Sequence, residues 1–203
     1  MTERTIVIFD LGGVLIDWDP RNLYRRLFAG DLAAMERFLT EVCTPDWNKQ
    51  QDAGRPFAEA EAVLIAQFPE QEAMIRAWRK GFQEMIPGAL EDVVEILTAL
   101  RARGTPLYAL SNWSAETFLE MPARFPFLNW FRDIVVSGQE RVIKPDPQIY
   151  RILLERNGIA PEEAAFIDDS PANVAAADAL GLRGLHFSSA ERLKQDLRAL
   201  GLL

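Results

Sequence analysis

Cysteine and histidine are almost absent from this chain of 203 residues, which has one of each. A lone Cys43 cannot form an internal disulfide, and this favours a reducing, cytoplasmic environment. A lone His186 excludes a histidine-based catalytic triad and a multi-histidine metal site, and it favours a structural role for this side chain.

Positive charge and long apolar runs are also scarce. The 22 lysines and arginines are outnumbered by 30 aspartates and glutamates, giving a net charge of −8 at pH 7. Because this charge repels a phosphate backbone, nucleic acid is not expected as a partner. No apolar run has the length of a membrane span, and the run before Asp10 lacks the length and cleavage site of a signal peptide. We therefore expect a soluble protein with no membrane partner, and the sequence carries no signal for an oligomeric state.

Five short apolar runs predict buried parallel strands at residues 5–10, 106–111, 133–136, 164–168 and 184–187. Helical patterns lie between most of them, around residues 90–100, 149–153 and 171–180. Alternating strands and helices joined by short turns predict an α/β fold with a doubly wound parallel sheet.

The interval between residues 10 and 90 breaks this alternation. It contains no convincing strand, and it has helical stretches at residues 23–28, 32–42, 57–68 and 70–85. Such an interval is too long for a structureless loop. We predict a small all-helical cap at residues 15–87, inserted into an α/β core domain formed by residues 1–14 and 88–203.

Polar side chains stand where the predicted strands end. Asp10, Ser111, Asp168 and Asp169 lie at three strand ends, and Lys144 lies in the loop after another strand. Aspartate and serine often begin turns for structural reasons alone. However, ligands of open α/β sheets bind beyond the carboxyl ends of the strands, so these residues are expected to converge on one crevice.

These residue types are suited to attack on a phosphate ester. The Asp10 carboxylate can act as a nucleophile on phosphorus and form an aspartyl-phosphate. Asp168 and Asp169 offer oxygen ligands for Mg²⁺. Lys144 and Ser111 can neutralise or hydrogen-bond the phosphate oxygens.

Other residues are weaker candidates for substrate binding. Asn112 can add an amide or backbone donor next to Ser111. Trp113, together with Trp18 and Trp47, can line a pocket between cap and core, although aromatic packing of the cap explains these rings equally well. Two arginines, Arg21 and Arg55, are better explained as surface charges than as substrate contacts.

Four segments resemble the motifs of the haloacid dehalogenase-like hydrolase superfamily, and they occur in the family's order. They are residues 8–15, 109–112, 143–146, and 166–170 with Asn173. The resemblance spans nearly the whole chain and implies the family's α/β core with a helical cap of the first type. Sugar-phosphate phosphatase-like members, similar to glucose-1-phosphate phosphatase, also begin the first motif with Asp-Leu-Gly.

The resemblance implies a role for each motif residue. It makes Asp10 the nucleophile and a metal ligand, and it makes Ser111 and Lys144 phosphate binders. It makes Asp169 a direct Mg²⁺ ligand, whereas Asp168 reaches the metal through water.

Gly12 departs from the pattern of most phosphatases in this superfamily, which have a second aspartate here as general acid and base. Gly12 would contribute only its backbone carbonyl to the metal. L-2-haloacid dehalogenases also lack that aspartate, but they need no metal and lack the acidic pair that this chain keeps as Asp168 and Asp169. Asp17, on the segment that leaves the core, is our candidate for the substitute acid.

The sequence therefore predicts a hydrolase, a Mg²⁺-dependent phosphatase for a small phosphorylated metabolite. Two alternatives stay open: a metal-independent L-2-haloacid dehalogenase, and a weakly active ligand-binding or regulatory protein. Dependence of turnover on Mg²⁺ distinguishes the phosphatase from both.

Overall fold

A sheet of five parallel strands forms the core of the protein, whose computed structural model describes residues 5–203. The strands are β1 (Ile6–Phe9), β2 (Leu107–Ser111), β3 (Ile134–Val136), β4 (Ala164–Asp168) and β5 (Arg183–His186). Their order in the sheet is β3-β2-β1-β4-β5. All five predicted strands are confirmed, each within one residue of its predicted bounds.

The central strand β1 is hydrogen-bonded on both sides. Val7 is in register with Leu107 of β2 and with Ala165 of β4. Successive side chains of a strand point to opposite faces of the sheet. Accordingly, Val7 and Phe9 belong to one buried apolar cluster, and Ile8 belongs to the cluster on the other face. Burial on both faces explains why these strands are continuous apolar runs.

Helices cover both faces of the sheet and form the insert. They are α1 (Arg21–Leu27), α2 (Leu32–Glu41), α3 (Pro45–Asp52), α4 (Phe57–Gln67), α5 (Glu72–Lys80), α6 (Glu91–Ala102), α7 (Ala115–Phe118), α8 (Met121–Arg124), α9 (Ser137–Glu140), α10 (Pro147–Asn157), α11 (Pro171–Ala179) and α12 (Ala190–Ala199). Short 3₁₀ helices lie at Pro69–Gln71, Phe82–Met85, Pro126–Trp130 and Pro161–Glu163. The apolar side chains of α6 and α12 join one cluster, and those of α10 and α11 join the other. The doubly wound α/β fold is confirmed.

The insert consists of helices α1 to α5, which lie between β1 and α6 without a strand among the described residues. The two segments that join it to the core run side by side. The Asp17 N–H donates to the Gly88 carbonyl at 3.0 Å, and the Leu90 N–H donates to the Leu15 carbonyl at 2.9 Å. An all-helical insert is therefore present. The bounds 1–14, 15–87 and 88–203 stay a prediction, and residues 1–4 lie outside the described part of the chain.

Two local features of the insert differ from the prediction. Helix α3 was not expected, because its sequence is mostly polar; the Thr44 side chain caps it by accepting the Trp47 N–H at 3.0 Å. The predicted helical stretch at residues 70–85 is interrupted at Gly81. A Cβ atom at Gly81 would lie 2.9 Å from the methyl carbons of Leu23 and 3.0 Å from the Ala77 carbonyl oxygen, so a larger residue there would require these neighbours to shift.

The insert has its own aromatic core around Trp78, which is 1% exposed. The Trp78 ring lies 5.3 Å from the Trp47 ring and 6.0 Å from the Tyr24 ring, between centroids. Cys43 is buried in the same cluster. No helix within residues 5–203 combines the length and the apolar character that crossing a membrane requires.

Candidate active site

Three carboxylates meet at the carboxyl edge of the sheet. Asp10 follows the central strand β1, while Asp168 and Asp169 lie at the end of the neighbouring strand β4. Each offers one oxygen atom, and these three oxygens lie within 4.8 Å of one another. The convergence expected from the strand ends is thus present.

Lys144 lies buried beside two of these carboxylates. Its Nζ atom is 2.6 Å from Asp168 Oδ2 and 3.0 Å from Asp10 Oδ1, and it donates to the Leu110 carbonyl at 2.9 Å. The Asn112 side chain holds the backbone of Lys144. Its Oδ1 accepts the Lys144 N–H at 2.8 Å, and its Nδ2 donates to the Lys144 carbonyl at 3.0 Å. The Asn112 amide is therefore engaged in positioning this lysine.

The electrostatics of the cluster favour an added cation. The pKa of Asp10 is raised to about 7, mainly by burial; the charge of Lys144 opposes the rise and the charge of Asp168 adds to it. Burial and the Asp168 charge also raise the pKa of Asp169. Burial disfavours the charged form of Lys144, but Asp10 and Asp168 outweigh it and raise its pKa. When the three carboxylates and the Lys144 ammonium are all ionised, the cluster has a net charge of −2. Carboxylate oxygens are also ligands that Mg²⁺ prefers.

The two residues of the acidic pair have different surroundings. Asp168 is fully buried, and its Oδ1 accepts the Ser170 N–H at 2.8 Å and the Asn173 amide at 3.0 Å. Asp169 is exposed and lines the cavity above the cluster. Gly13 has a φ of +77°, and a Cβ atom there would lie 2.6 Å from Asp169 Oδ2. Glycine at this position therefore allows the first loop to approach the Asp169 carboxylate closely.

A cavity of about 480 Å³ opens between the sheet edge and the insert. Core residues and insert residues both line it: Asp10, Gly12, Gly13, Ser111, Asn112, Trp113 and Asp169 from the core, and Trp18, Asn48, Lys49, Asp52 and Phe82 from the insert and its connection. The predicted residues Gly12, Ser111, Asn112 and Trp113 thus border one space with Asp10 and Asp169.

Other residues considered from the sequence do not line this cavity. Asp17 is half-buried in the connection between core and insert, and it is not among the residues that line this cavity. Trp47 packs against Phe57 and Trp78 inside the insert. His186 lies with its Nε2 atom 3.0 Å from the Asp169 carbonyl oxygen.

The two arginines also lie outside the cavity lining. Arg21 forms a bidentate ion pair with Glu36, with distances of 2.6 and 2.9 Å. Arg55 donates to the Gln51 side chain at 2.8 Å. Both residues therefore have contacts within the insert.

Asp52 lines the cavity although the sequence analysis did not identify it. It is the last residue of α3, and its Oδ2 accepts the Asn48 amide at 3.1 Å. Burial raises the pKa of Asp52 to about 7; a hydrogen bond from the Ser114 N–H lowers it and the charge of Asp10 raises it. The Thr44-Pro45 cap could have indicated the helix, but nothing local connects residue 52 with residue 10.

Comparison with known proteins agrees with this geometry. The family described as haloacid dehalogenase-like hydrolase matches residues 5–181. The sesquiterpene phosphatase astK of Aspergillus oryzae is 27% identical over 205 residues, covering 98% of this chain and 97% of that protein. The phosphoglycolate phosphatase of Escherichia coli strain K12 is 26% identical over 196 residues, covering 86% of this chain and 77% of that protein.

A solved structure has the same fold. It is the magnesium complex of a HAD family enzyme from Bacteroides thetaiotaomicron, with a TM-score of 0.72 and 23% identity over 97% of this chain and 100% of that chain. The family match spans most of the sequence and includes all four motifs that surround the carboxylate cluster. This chain belongs to the haloacid dehalogenase-like hydrolases.

Proposed function

We propose that this protein is a Mg²⁺-dependent phosphatase that hydrolyses a small phosphorylated metabolite through an aspartyl-phosphate on Asp10. The observation that carries this proposal is the cluster of Asp10, Asp168 and Asp169 around buried Lys144, below a cavity covered by the insert. Two similar proteins named as phosphatases support it.

Asp10 is held in place for attack on phosphorus. Its Oδ1 accepts the Leu11 N–H at 2.7 Å and lies 3.0 Å from Lys144 Nζ. Both contacts hold Oδ1, so we assign the attack to Oδ2. The P–O bond to the leaving alcohol breaks as the bond to Asp10 forms, and water then cleaves the aspartyl-phosphate to release phosphate.

The donor set fits a magnesium ion. Asp10, Asp169 and the Gly12 carbonyl would hold it directly, and the buried Asp168 would reach it through water. The two net negative charges of the ionised cluster are a reason for a cation to bind here. When bound, the metal supplies positive charge that offsets the repulsion between Asp10 and the phosphate.

Lys144 has a more specific role in this proposal than direct phosphate binding. An ammonium has three hydrogens, and Lys144 already contacts Asp10, Asp168 and the Leu110 carbonyl. We infer that it orients Asp10 and attracts the phosphate through its charge. The Ser111 hydroxyl and the Asn112 backbone, which border the cavity, are then the direct phosphate donors.

The cavity also suggests what the organic part of the substrate is like. The rings of Trp18, Phe82 and Trp113 form its aromatic wall, and Asn48 and Lys49 add polar groups from the insert. A volume of about 480 Å³ is suited to a small metabolite. We propose a compact phosphate monoester with an apolar or planar face.

A panel of phosphorylated metabolites and 4-nitrophenyl phosphate, assayed for phosphate release with Mg²⁺ and with chelator, tests this function. We expect turnover that chelation abolishes, and we expect Asp10→Asn to be inactive and folded, with deamidation excluded by mass spectrometry. Halide release from L-2-haloacids that persists in chelator would instead identify a dehalogenase. Absence of both activities would indicate a binding protein.

A further inference from the structure

One carboxyl group in the cavity has no role in the phosphatase reaction proposed above. Within residues 5–203, the acidic residues that line it are Asp10, Asp52 and Asp169, and the proposed function uses Asp10 as the nucleophile and Asp169 as a metal ligand. Gly12 leaves the first loop without an acid–base group. We propose that Asp52, supplied by the insert, is the general acid and base of the reaction, an inference that rests on the proposed function.

Contacts with the core fix Asp52 at the mouth of the site. Its side chain accepts the Asn48 amide of its own helix at 3.1 Å. Its backbone carbonyl accepts the Ser137 hydroxyl at 2.6 Å. The end of α3 is thus hydrogen-bonded to the core through the backbone of Asp52.

The chain just after Asp52 also lies tightly against the core. A Cβ atom at Gly54 would come within 2.9 Å of the Gly138 carbonyl oxygen on α9. Only a residue without a side chain allows this approach. The end of α3 is therefore seated on the core in the arrangement that brings Asp52 to the cavity.

The protonation of Asp52 suits both steps. The pKa of Asp52 is raised to about 7, mainly by burial; the Ser114 backbone lowers it and the charge of Asp10 raises it. The protonated and the ionised forms of Asp52 are therefore both populated near neutral pH. A group that must give and then take a proton works best near that point. Charged groups on the elements around α3 are Asp10, Asp169, Asp46, Lys49, Arg55, Glu59, Glu61, Glu140 and Arg141. Among them, Asp10 is the one whose charge raises the pKa of Asp52.

The proton balance is complete without another donor. In the first step Asp10 bonds to phosphorus, the bond from phosphorus to the leaving oxygen breaks, and that oxygen takes the Asp52 proton to leave as an alcohol. In the second step water bonds to phosphorus and gives a proton to the Asp52 carboxylate. The bond from phosphorus to Asp10 then breaks, phosphate leaves, and Asp52 is protonated again.

Lys49 is the competing proton donor, since it lies on the same helix and borders the same cavity. Its Nζ atom is 2.8 Å from Asp46 Oδ1, and its side chain is 59% exposed. Lys49 is therefore paired and solvated, whereas Asp52 is half-buried and lines the cavity with Asp10. We expect Lys49 to contribute to substrate binding and not to proton transfer.

Single-turnover kinetics with an alkyl phosphate and with 4-nitrophenyl phosphate test the role of Asp52. In Asp52→Asn the first step should slow about 10²–10⁴-fold for the alkyl ester, because its alkoxide needs a proton to leave. Release of 4-nitrophenol should change far less, because this phenol is acidic. The aspartyl-phosphate should then accumulate in the variant, detected as a phosphoryl mass increase, since no base activates the water.

Matched variants on the same helix separate proton transfer from structure. Asp46→Asn carries the same change at an exposed position outside the cavity lining, and it should leave the ratio of alkyl to aryl first-step rates as in the parent. Lys49→Met should raise KM for both esters with no selective loss for the alkyl ester. Equal slowing of both esters in Asp52→Asn, or a selective alkyl loss in Lys49→Met, would overturn the proposal.

The parent protein provides a test that does not depend on a folded variant. The ratio of alkyl to aryl first-step rates should fall as pH rises through about 7, because Asp52 then loses its proton. A ratio that is constant across this range would overturn the role of Asp52 even though phosphatase activity is present. Failure of the proposed function is distinct: the parent would release no phosphate from any ester, or Asp10→Asn would stay active.

Discussion

Replacing Lys144 by methionine tests how the site tolerates its own negative charge. Lys144 is 2% exposed, and its ammonium is the partner of two buried carboxylates, Asp10 and Asp168. Methionine keeps much of the side-chain volume and removes the charge. The variant therefore leaves two buried carboxylates without their cation.

The distances set the size of the expected loss. At 3.0 Å and 2.6 Å from Lys144, each ion pair is worth about 5–6 kcal/mol of attraction at an effective dielectric constant of about 20. The variant no longer buries an ammonium, and the desolvation free energy that this avoids offsets much of the lost attraction. Removing one partner of a buried pair typically lowers the free energy of unfolding by about 3–5 kcal/mol, and we expect that loss here near pH 8 without Mg²⁺.

The loss should depend on pH in a defined direction. Burial raises the pKa of Asp10 from its ordinary value of 3.8 to about 7, although the charge of Lys144 opposes this rise. Without Lys144 the Asp10 pKa rises further above 7, so above about pH 7 the folded variant keeps a proton on Asp10 that the folded parent has released. The stability deficit of the variant should therefore be largest at high pH and shrink as pH falls toward about 7.

Urea unfolding of Lys144→Met and the parent, in chelator at several pH values, measures this deficit. Lys49→Met is the matched control, because it removes an exposed ion pair with Asp46 and should cost less than about 1 kcal/mol. A deficit below about 1 kcal/mol near pH 8, or one that does not change with pH, would refute the electrostatic argument.

Two other variants test how the insert is built and attached. Ser137→Ala removes the hydroxyl that accepts the Trp113 N–H at 2.9 Å and donates to the Asp52 carbonyl at 2.6 Å. We expect a loss of about 1–3 kcal/mol in urea unfolding and a slower first step with alkyl phosphates; unchanged kinetics would show that this link does not position Asp52. Trp78→Ala should cost about 3–5 kcal/mol because it empties the centre of the insert, and Trp78→Phe should cost less. Equal losses for the two Trp78 variants in urea would contradict the packing argument.

The strands and the carboxylates that follow them could be predicted because the signals are local. A buried parallel strand is a short apolar run, and a polar residue at its end marks the edge where ligands bind. Asp10, Ser111, Asp168 and Asp169 follow this rule, and all four lie at the carboxyl edge of the sheet. The helical character of the insert was equally readable from its apolar spacing.

Helix α3 escaped prediction because it has almost no apolar pattern, since only one of its two buried side chains is apolar. Trp47 and Gln51 are its buried side chains, and the rest of its sequence is polar. Its contacts with the core depend on the Ser137 hydroxyl, 85 positions away in the chain. Local patterns contain no information about a contact of that range.

The sequence by itself determined the α/β core, the helical insert and the identity of the residues at the strand ends, since short-range periodicity and turn chemistry encode these features. Only the tertiary structure decided which contacts each of these residues makes in the site. In the folded protein the Asn112 amide is hydrogen-bonded to the Lys144 backbone, and Asp17 lies outside the cavity lining. It also brought Asp52 to the site, because the packing of the insert on the core sets which distant side chains meet in one low-dielectric cavity and how each pKa shifts there.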